Sequence, residues 1–149
     1  MVTRAAVVDE ARRWLGTPFH HQAHTRGVGA DCLGMVGGVA IALGLYPAEA
    51  WATIWAQHAG YARTPDGSTL EAVCRRYLVP AGHLMQPGDV LLMRFSRDPQ
   101  HMAILVPYAH GGLAMVHAYS RAGRVVEHRY APVWQARTVD WYSMPGVRD

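Results

Sequence analysis

Cysteine is nearly absent: the 149 residues contain two, Cys32 and Cys74. Their separation rules out a Cys-x-x-Cys metal or redox pair and allows at most one disulfide, so free thiols are expected. Also missing is any uncharged apolar run of roughly 18 residues, the length that crosses a bilayer, and stable membrane insertion is not expected. The stretch from Met1 to Trp14 is interrupted by Arg4, Asp9, Glu10, Arg12 and Arg13 and holds no apolar core of signal-peptide length. Synthesis in the cytoplasm as a soluble protein is therefore the expectation. Charge of one sign is scarce as well, with 14 basic against 11 acidic residues. Arg75-Arg76 and the scattered Arg121, Arg124 and Arg129 form no stripe interleaved with aromatics, which argues against a nucleic-acid partner. Repeats, linkers and low-complexity segments are lacking, which leaves a single domain over 1–149.

What is present is enough apolar material for a core: half the residues are hydrophobic and 17% are charged, a balance that excludes disorder. Residues 4–15 place Ala5, Val8, Ala11, Trp14 and Leu15 at helical spacing, ended by Gly16-Thr17-Pro18. A loop rich in His and Gly follows from Phe19 to Ala30. The next helix runs from about Cys32 to Leu43, with Gly44 as its C-terminal stop. It is nearly all apolar and contains Gly34, Gly37 and Gly38, each of which costs about 1 kcal/mol of helix propensity. Such a helix persists only when buried, its glycines lying tight against something flat. A third helix is expected over 68–78, with Ser68 as cap and Glu71 as its partner, and it carries Cys74 on its apolar face.

After Gln86-Pro87-Gly88-Asp89 the pattern changes to short apolar runs. Val90–Phe95, His101–Val106, Leu113–Tyr119, Arg124–Tyr130 and Arg137–Tyr142 read as strands. Helices first and strands later predict an α+β fold, with an antiparallel sheet packed on the glycine-rich helix. Trp14, Trp134 and Trp141 read as core; Trp51 and Trp55, a helical turn apart, read as packing.

Cys32 stands at the start of the glycine-rich helix. A thiol there faces unpaired backbone N–H groups and the positive end of the helix dipole, which favour the thiolate. The other fate open to it is that of a small buried hydrophobe. A hairpin centred near Ala109 brings His101 opposite about Val116 to Tyr119, so His101 and His117 share one sheet face. Packed against a helix-borne cysteine, they would complete a Cys–His–His line, with His101 moving the proton and His117 orienting it. His20, His21 and His24 lie in a loop with no further ligand motif, so no metal and no cofactor are expected. Gln22 or the backbone beside it is a candidate oxyanion donor. His58, His83, His110 and His128 read as solvated surface.

Several segments together resemble the NlpC-type cell-wall endopeptidases, which are papain-like cysteine peptidases. Trp14-Leu15-Gly16-Thr17-Pro18-Phe19 is similar to that family's Leu-Gly-Thr-Pro-Tyr segment, and Asp31-Cys32-Leu33-Gly34 to its Asp-Cys-Ser-Gly nucleophile motif. Pro87-Gly88-Asp89-Val90-Leu91 resembles its Pro-Gly-Asp-Leu strand entry. His101-Met102-Ala103-Ile104-Leu105-Val106 and Val116-His117-Ala118 are similar to its two histidine strands. The matches run in order over about residues 5–119.

The His20-His21-Gln22 loop and the Asp-Cys-Leu-Gly variant resemble the branch found in phage tails and gene-transfer agents. The resemblance implies a papain-like fold and cleavage of the D-γ-glutamyl–diaminopimelate bond of peptidoglycan stem peptides by Cys32, His101 and His117. It also implies tail hub or tip proteins as partners, incorporation in a particle and action in the periplasm of a target cell. Phe19, His20, Gln22 and Asp31 would line the substrate or oxyanion site. Phe19 stands where the family has tyrosine, and Leu33 replaces the serine after the nucleophile, so substrate selection departs from the pattern. Asp31 either holds a substrate amine or caps the helix. Two other readings accompany this one: a catalytically silent tail-tip protein, and an N-acetylmuramoyl-L-alanine amidase or transferase with the same triad.

Overall fold

The apolar runs beyond residue 89 alternate with a period of two, and in the computed structural model they form one sheet. The structure describes residues 1–50, 52–54, 68–95 and 99–149, with the backbone alone for Ser68, Thr69 and Pro99. Trp51, Trp55 and His58 lie outside the described residues. The long strands are β5 (Val90–Arg94), β6 (Pro99–Pro107), β7 (Leu113–Tyr119), β8 (Arg124–Arg129) and β9 (Thr138–Ser143). With the short β4 (Val79–Pro80) they line up as β4-β9-β5-β6-β7-β8, every neighbour antiparallel. β1 (Val2–Thr3) pairs in parallel with β10 (Val147–Arg148), and β2 (His24–Thr25) pairs with β3 (Gly29–Ala30) inside the His-rich loop.

Among the described residues, three helices of ten or eleven residues precede the sheet and a short one lies within it. α1 (Arg4–Arg13) starts at Thr3, whose hydroxyl accepts the Ala6 N–H at 3.1 Å. α2 (Cys32–Ala42) starts at Asp31 and stops before Gly44, which takes the left-handed conformation at φ 74°. α3 spans Ser68–Tyr77. α4 (Pro132–Arg137) has proline at its first position, where the missing N–H costs nothing. The sequence pattern shows no sign of α4, because six residues are too few to display a helical period.

The sheet is buried on both faces, and the two faces separate by parity. Val90, Leu92, Met102, Ile104, Val106, Ala114, Val116, Ala118 and Val125 pack with Val7, Val8, Val36, Val39, Leu70 and Val73 of α1, α2 and α3. Leu91, Met93, Ala103, Leu105 and Met115 pack on the other side with Tyr130, partly covered by Trp134 and Trp141. Cys74 is fully buried, as its helix face predicts.

The glycines of α2 do not serve the sheet. A Cβ on Gly34 would lie 1.9 Å from the carbonyl oxygen of Ala23, and one on Gly38 would lie 2.2 Å from the ring of Trp14. The flat partner is thus the indole of α1 at one position and the His-rich loop at the other. Both contacts hold the N-terminal half of α2, and Cys32 with it.

Asp89 anchors the start of β5. Fully buried, it accepts hydrogen bonds from Arg4 Nη1 at 2.7 Å and the Gln86 N–H at 2.9 Å, and lies 3.1 Å from His83 Nε2. Gly88, at φ 93°, lets the chain turn beside Arg4, where a Cβ would come within 3.2 Å of that side chain. The Pro-Gly-Asp motif therefore ties the first long strand to the first helix. His83 belongs to this cluster, contrary to the reading of it as solvated surface.

Candidate active site

The loop before α2 is stitched to its surroundings by backbone bonds. The Ala30 N–H donates to Pro18 O at 3.0 Å, the Asp31 N–H to Ala23 O at 3.2 Å, and the Phe19 N–H to Gly123 O at 2.9 Å. Phe19 is half-buried against the helical side of the core. His20 is exposed, its ring lying over Gly29 so closely that a Cβ there would come within 2.7 Å of it. Gln22 holds a left-handed backbone at φ 62°, and its N–H donates to Asp31 Oδ2 at 2.7 Å. That N–H is thereby engaged and does not face outward as an oxyanion donor. The other carboxylate oxygen of Asp31 accepts the Gly34 N–H at 2.8 Å. Of the two roles open to Asp31 in the sequence, capping is the one the geometry displays.

Strands β6 and β7 pair from Pro107↔Leu113 back to Ile104↔Val116, and the ladder goes no further. Leu105 bonds toward β5, its N–H to Asp89 O at 2.9 Å and its carbonyl to the Gly88 N–H at 2.8 Å. Antiparallel alternation then turns the N–H of Met102 toward β7, where the ladder has ended. The Cys32 thiol lies against that N–H, whose dipole acts to lower the thiol's pKa. Cys32, partly exposed, thus sits at the split between the two strands, one residue along from His101.

His101 and His117 share the face of Ala103 and Met115, the side away from α2. Cys32, on the helix packed across these strands, lies against the opposite, helical face, at the split. The observed register places Ile104 opposite Val116, which makes His101 and His117 diagonal rather than direct neighbours. Their rings meet edge to face, with His101 Nε2 2.6 Å from His117 Nδ1. His101 Nδ1 carries no hydrogen bond among the described residues, and none joins it to Cys32.

A third histidine continues the line. His117 Nε2 lies 2.8 Å from His128 Nε2, and His128 Nδ1 lies 2.9 Å from Arg129 O. His128 was read as surface, yet the β7–β8 register pairs it with Met115 and His117 with Val126, so the two histidines are diagonal neighbours on one face. Period-two alternation across the Gly123 turn was the signal that could have found it. Trp134 packs on both rings at 5.1 Å, Tyr119 stacks on His117 at 5.0 Å, and Phe95 lies 5.2 Å from His101. The Arg137 guanidinium covers Trp134 at 4.7 Å and Phe95 at 5.1 Å. An open cleft beside these rings is lined by Phe95, Tyr119, Ser120 and Arg121.

The resting protonation states follow from burial. Desolvation, then the charges of Arg137 and His128, pushes His101 well below the ordinary imidazole range. Burial, then the charges of His101 and His128, does the same to His117. Burial and the Asp31 carboxylate raise the Cys32 thiol, outweighing the N–H groups of Met102 and Leu33. These directions favour the neutral forms, a thiol at Cys32 and imidazoles at His101 and His117, over the thiolate expected from the helix N-terminus. Among the described residues no group of three or more His, Cys, Asp or Glu is placed to hold a metal ion, and no helix is long and apolar enough to cross a membrane.

A family model for NlpC/P60 matches residues 16–142, which takes in the loop, the cysteine and the strands that carry all three histidines. The chain belongs to the NlpC/P60 family. Its fold is that of other NlpC/P60 domains. One is the NlpC/p60 domain of the peptidoglycan hydrolase SagA, 22% identical with a TM-score of 0.58 over 96% of this chain and all of that one. Another is an NlpC/P60 family protein from Bacillus cereus ATCC 10987, 14% identical with a TM-score of 0.62; the match covers 93% of this chain but 39% of that one. A third is an N-acetylmuramoyl-L-alanine amidase from Bacteroides uniformis ATCC 8492, 14% identical with a TM-score of 0.55 over 93% of this chain and 96% of that one. No curated protein matches the chain. The solved structures that share its fold thus include a peptidoglycan hydrolase domain and an N-acetylmuramoyl-L-alanine amidase.

Proposed function

We propose that this NlpC/P60 chain is a cysteine peptidase that hydrolyses peptidoglycan stem peptides, with Cys32 as nucleophile, His101 as general base and His117 as its orienting partner. The observation that supports the reading is the split between β6 and β7, where Cys32 lies against the Met102 N–H, one residue along the strand from a histidine that is hydrogen-bonded to a second one. His101 Nδ1 accepts the thiol proton as sulfur attacks the scissile carbonyl carbon. The tetrahedral intermediate collapses, the C–N bond breaks, and His101 returns the proton to the departing amine. Water then attacks the thioester, giving up a proton to His101, and the acid is released as the thiol reforms. The N–H of Cys32 lacks an intrahelical partner in the first turn and is the oxyanion donor of this reading. Because the resting pair is neutral, proton transfer accompanies attack rather than preceding it.

The bond proposed is D-γ-glutamyl–diaminopimelate, and the setting a particle-borne enzyme that opens the wall of a target cell from its periplasm in company with tail hub or tip proteins. The segments that support that setting are His20-His21-Gln22 and Asp31-Cys32-Leu33-Gly34. The amidase among the similar folds favours a second reading, cleavage between muramic acid and L-alanine by the same residues. Purified protein should release soluble fragments from sacculi, with no loss to chelators and with complete loss in Cys32→Ala. Fragment release by Cys32→Ala at the wild-type rate sinks the proposal. Product masses from defined muropeptides separate the two bonds.

A further inference from the structure

Three imidazoles in a row raise a question that the first two do not answer: which nitrogen of each carries the proton. Hydrogen bonding between neutral imidazoles needs one N–H and one lone pair at every contact, so a choice made at one end is transmitted to the other. At the far end His128 Nδ1 lies 2.9 Å from the backbone oxygen of Arg129, and a carbonyl oxygen only accepts. We infer that His128 is a positioning residue that, anchored on the Arg129 carbonyl, sets the proton positions of both His117 and His101. The inference rests on the catalytic reading of His101 proposed above.

The direction follows contact by contact. In its neutral form His128 donates from Nδ1 to Arg129 O, which leaves its Nε2 as a lone pair. His117 Nε2, 2.8 Å away, must then be the N–H, and its Nδ1 the acceptor. His101 Nε2, 2.6 Å from that acceptor, is the next N–H. His101 Nδ1 is left with its lone pair, the one site in the line with no hydrogen-bond partner among the described residues. That is the form of His101 able to take a proton from Cys32. The reverse order would put a proton on His101 Nδ1 and abolish the base, and it would aim the bare lone pair of His128 Nδ1 at the Arg129 carbonyl. Trp134, packed on both His117 and His128, holds the rings in this geometry. Arg137, the cation whose charge acts most strongly on His101, cannot accept and so cannot supply the same anchoring.

Protein labelled with ¹⁵N at histidine and examined by long-range ¹H–¹⁵N correlation reports each tautomer directly. Single His→Gln variants assign the signals. The expected result is Nδ1–H for His128 and Nε2–H for His117 and His101. In His128→Leu, His117 and His101 should lose their single tautomers. kcat on a defined stem peptide should then fall by about 10- to 100-fold with KM little moved, the scale typical when a partner orienting a functional imidazole is lost. His128→Gln should recover most of kcat, since its amide can accept from His117 and donate to Arg129 at once. Nε2–H on wild-type His128, or wild-type kcat in His128→Leu, overturns the inference. Should His128→Leu fail to fold, the wild-type tautomers still decide. Should the wild type hydrolyse no stem peptide, the catalytic reading falls while the tautomers still test the relay.

Discussion

The carboxylate of Asp31 accepts the backbone N–H of Gln22 at 2.7 Å, closing the loop ahead of Cys32 onto the cap of the helix that Cys32 begins. The same carboxylate is the charge that, after burial, does most to raise the Cys32 thiol. Stability of the loop and acidity of the thiol are therefore opposed through one side chain.

Asp31→Asn separates these effects. Asparagine still caps α2 through its amide oxygen, but it removes the negative charge and the second acceptor. Alkylation of Cys32 by iodoacetamide near neutral pH should become faster than in wild type. Stability in urea should drop by about 1.5–3 kcal/mol, the worth of a hydrogen bond to a charged group. Unchanged alkylation would show that Asp31 does not control the thiol.

Gly38→Ala places a methyl group where the Trp14 ring already stands, at 2.2 Å. Alanine is the better helix former by about 1 kcal/mol, so propensity alone predicts a gain. Overpacking instead costs about 1–3 kcal/mol. Trp14 is buried and held by its indole N–H to Glu10 at 3.2 Å, so it cannot swing away. The net expectation is a lower urea midpoint, and a higher one would refute the close approach.

Removing one partner of the Arg4–Asp89 pair leaves a charge or a carboxylate cluster uncompensated. With Asp89 fully buried, Arg4→Met should destabilise by about 3–5 kcal/mol, the range for breaking a buried ion pair from one side. The double variant Arg4→Met/Asp89→Leu should lose less than the sum of the two single changes. Chemical denaturation of all four proteins checks both statements.

Dependence of stability on pH should show a plateau with losses on either side. His101 and His117 titrate below the ordinary 6.5 in the folded chain, so their contribution is whole above that value. As pH falls below it, the unfolded chain binds protons that the folded chain refuses, and stability declines. Cys32 is raised above the ordinary 9.0, and burial followed by Asp140 and Glu71 lifts Cys74 to about 12. Their contribution is whole below 9.0 and declines as pH rises past it. Urea midpoints at about pH 5, 7.5 and 10 should be highest at the middle value. A midpoint higher at about pH 5 than at 7.5 contradicts the neutral, buried histidines.

Much of the fold was legible in the chain because its elements are signalled locally. Alternation marked β5 to β9, and Asp31 and Gly44 bounded α2 through capping and a left-handed stop. Burial of α2 followed from its apolar circumference. Less was legible where the cause is a contact distant in sequence. The glycines of α2 answer to Ala23 and Trp14, not to the sheet. α4 is too short to show a period, and the end of the β6–β7 ladder at Ile104 leaves no mark in the residues themselves. The hairpin parity that joined His101 to His117 was within reach of the sequence, and the same parity applied once more would have reached His128.

By itself, then, the sequence determined which residue types bear the chemistry, on which elements they ride and to which family the chain belongs. These depend on local backbone preference and on side-chain period, which act between near neighbours. Only the tertiary structure decided that Cys32 packs on one face of the sheet at the end of the β6–β7 ladder while His101 and His117 lie on the other. It alone decided that Cys32 rests as a thiol, because desolvation and the Asp31 charge depend on what surrounds the sulfur in space. And it alone brought Arg129 O to the end of the histidine line, where one carbonyl orders the protons of three rings.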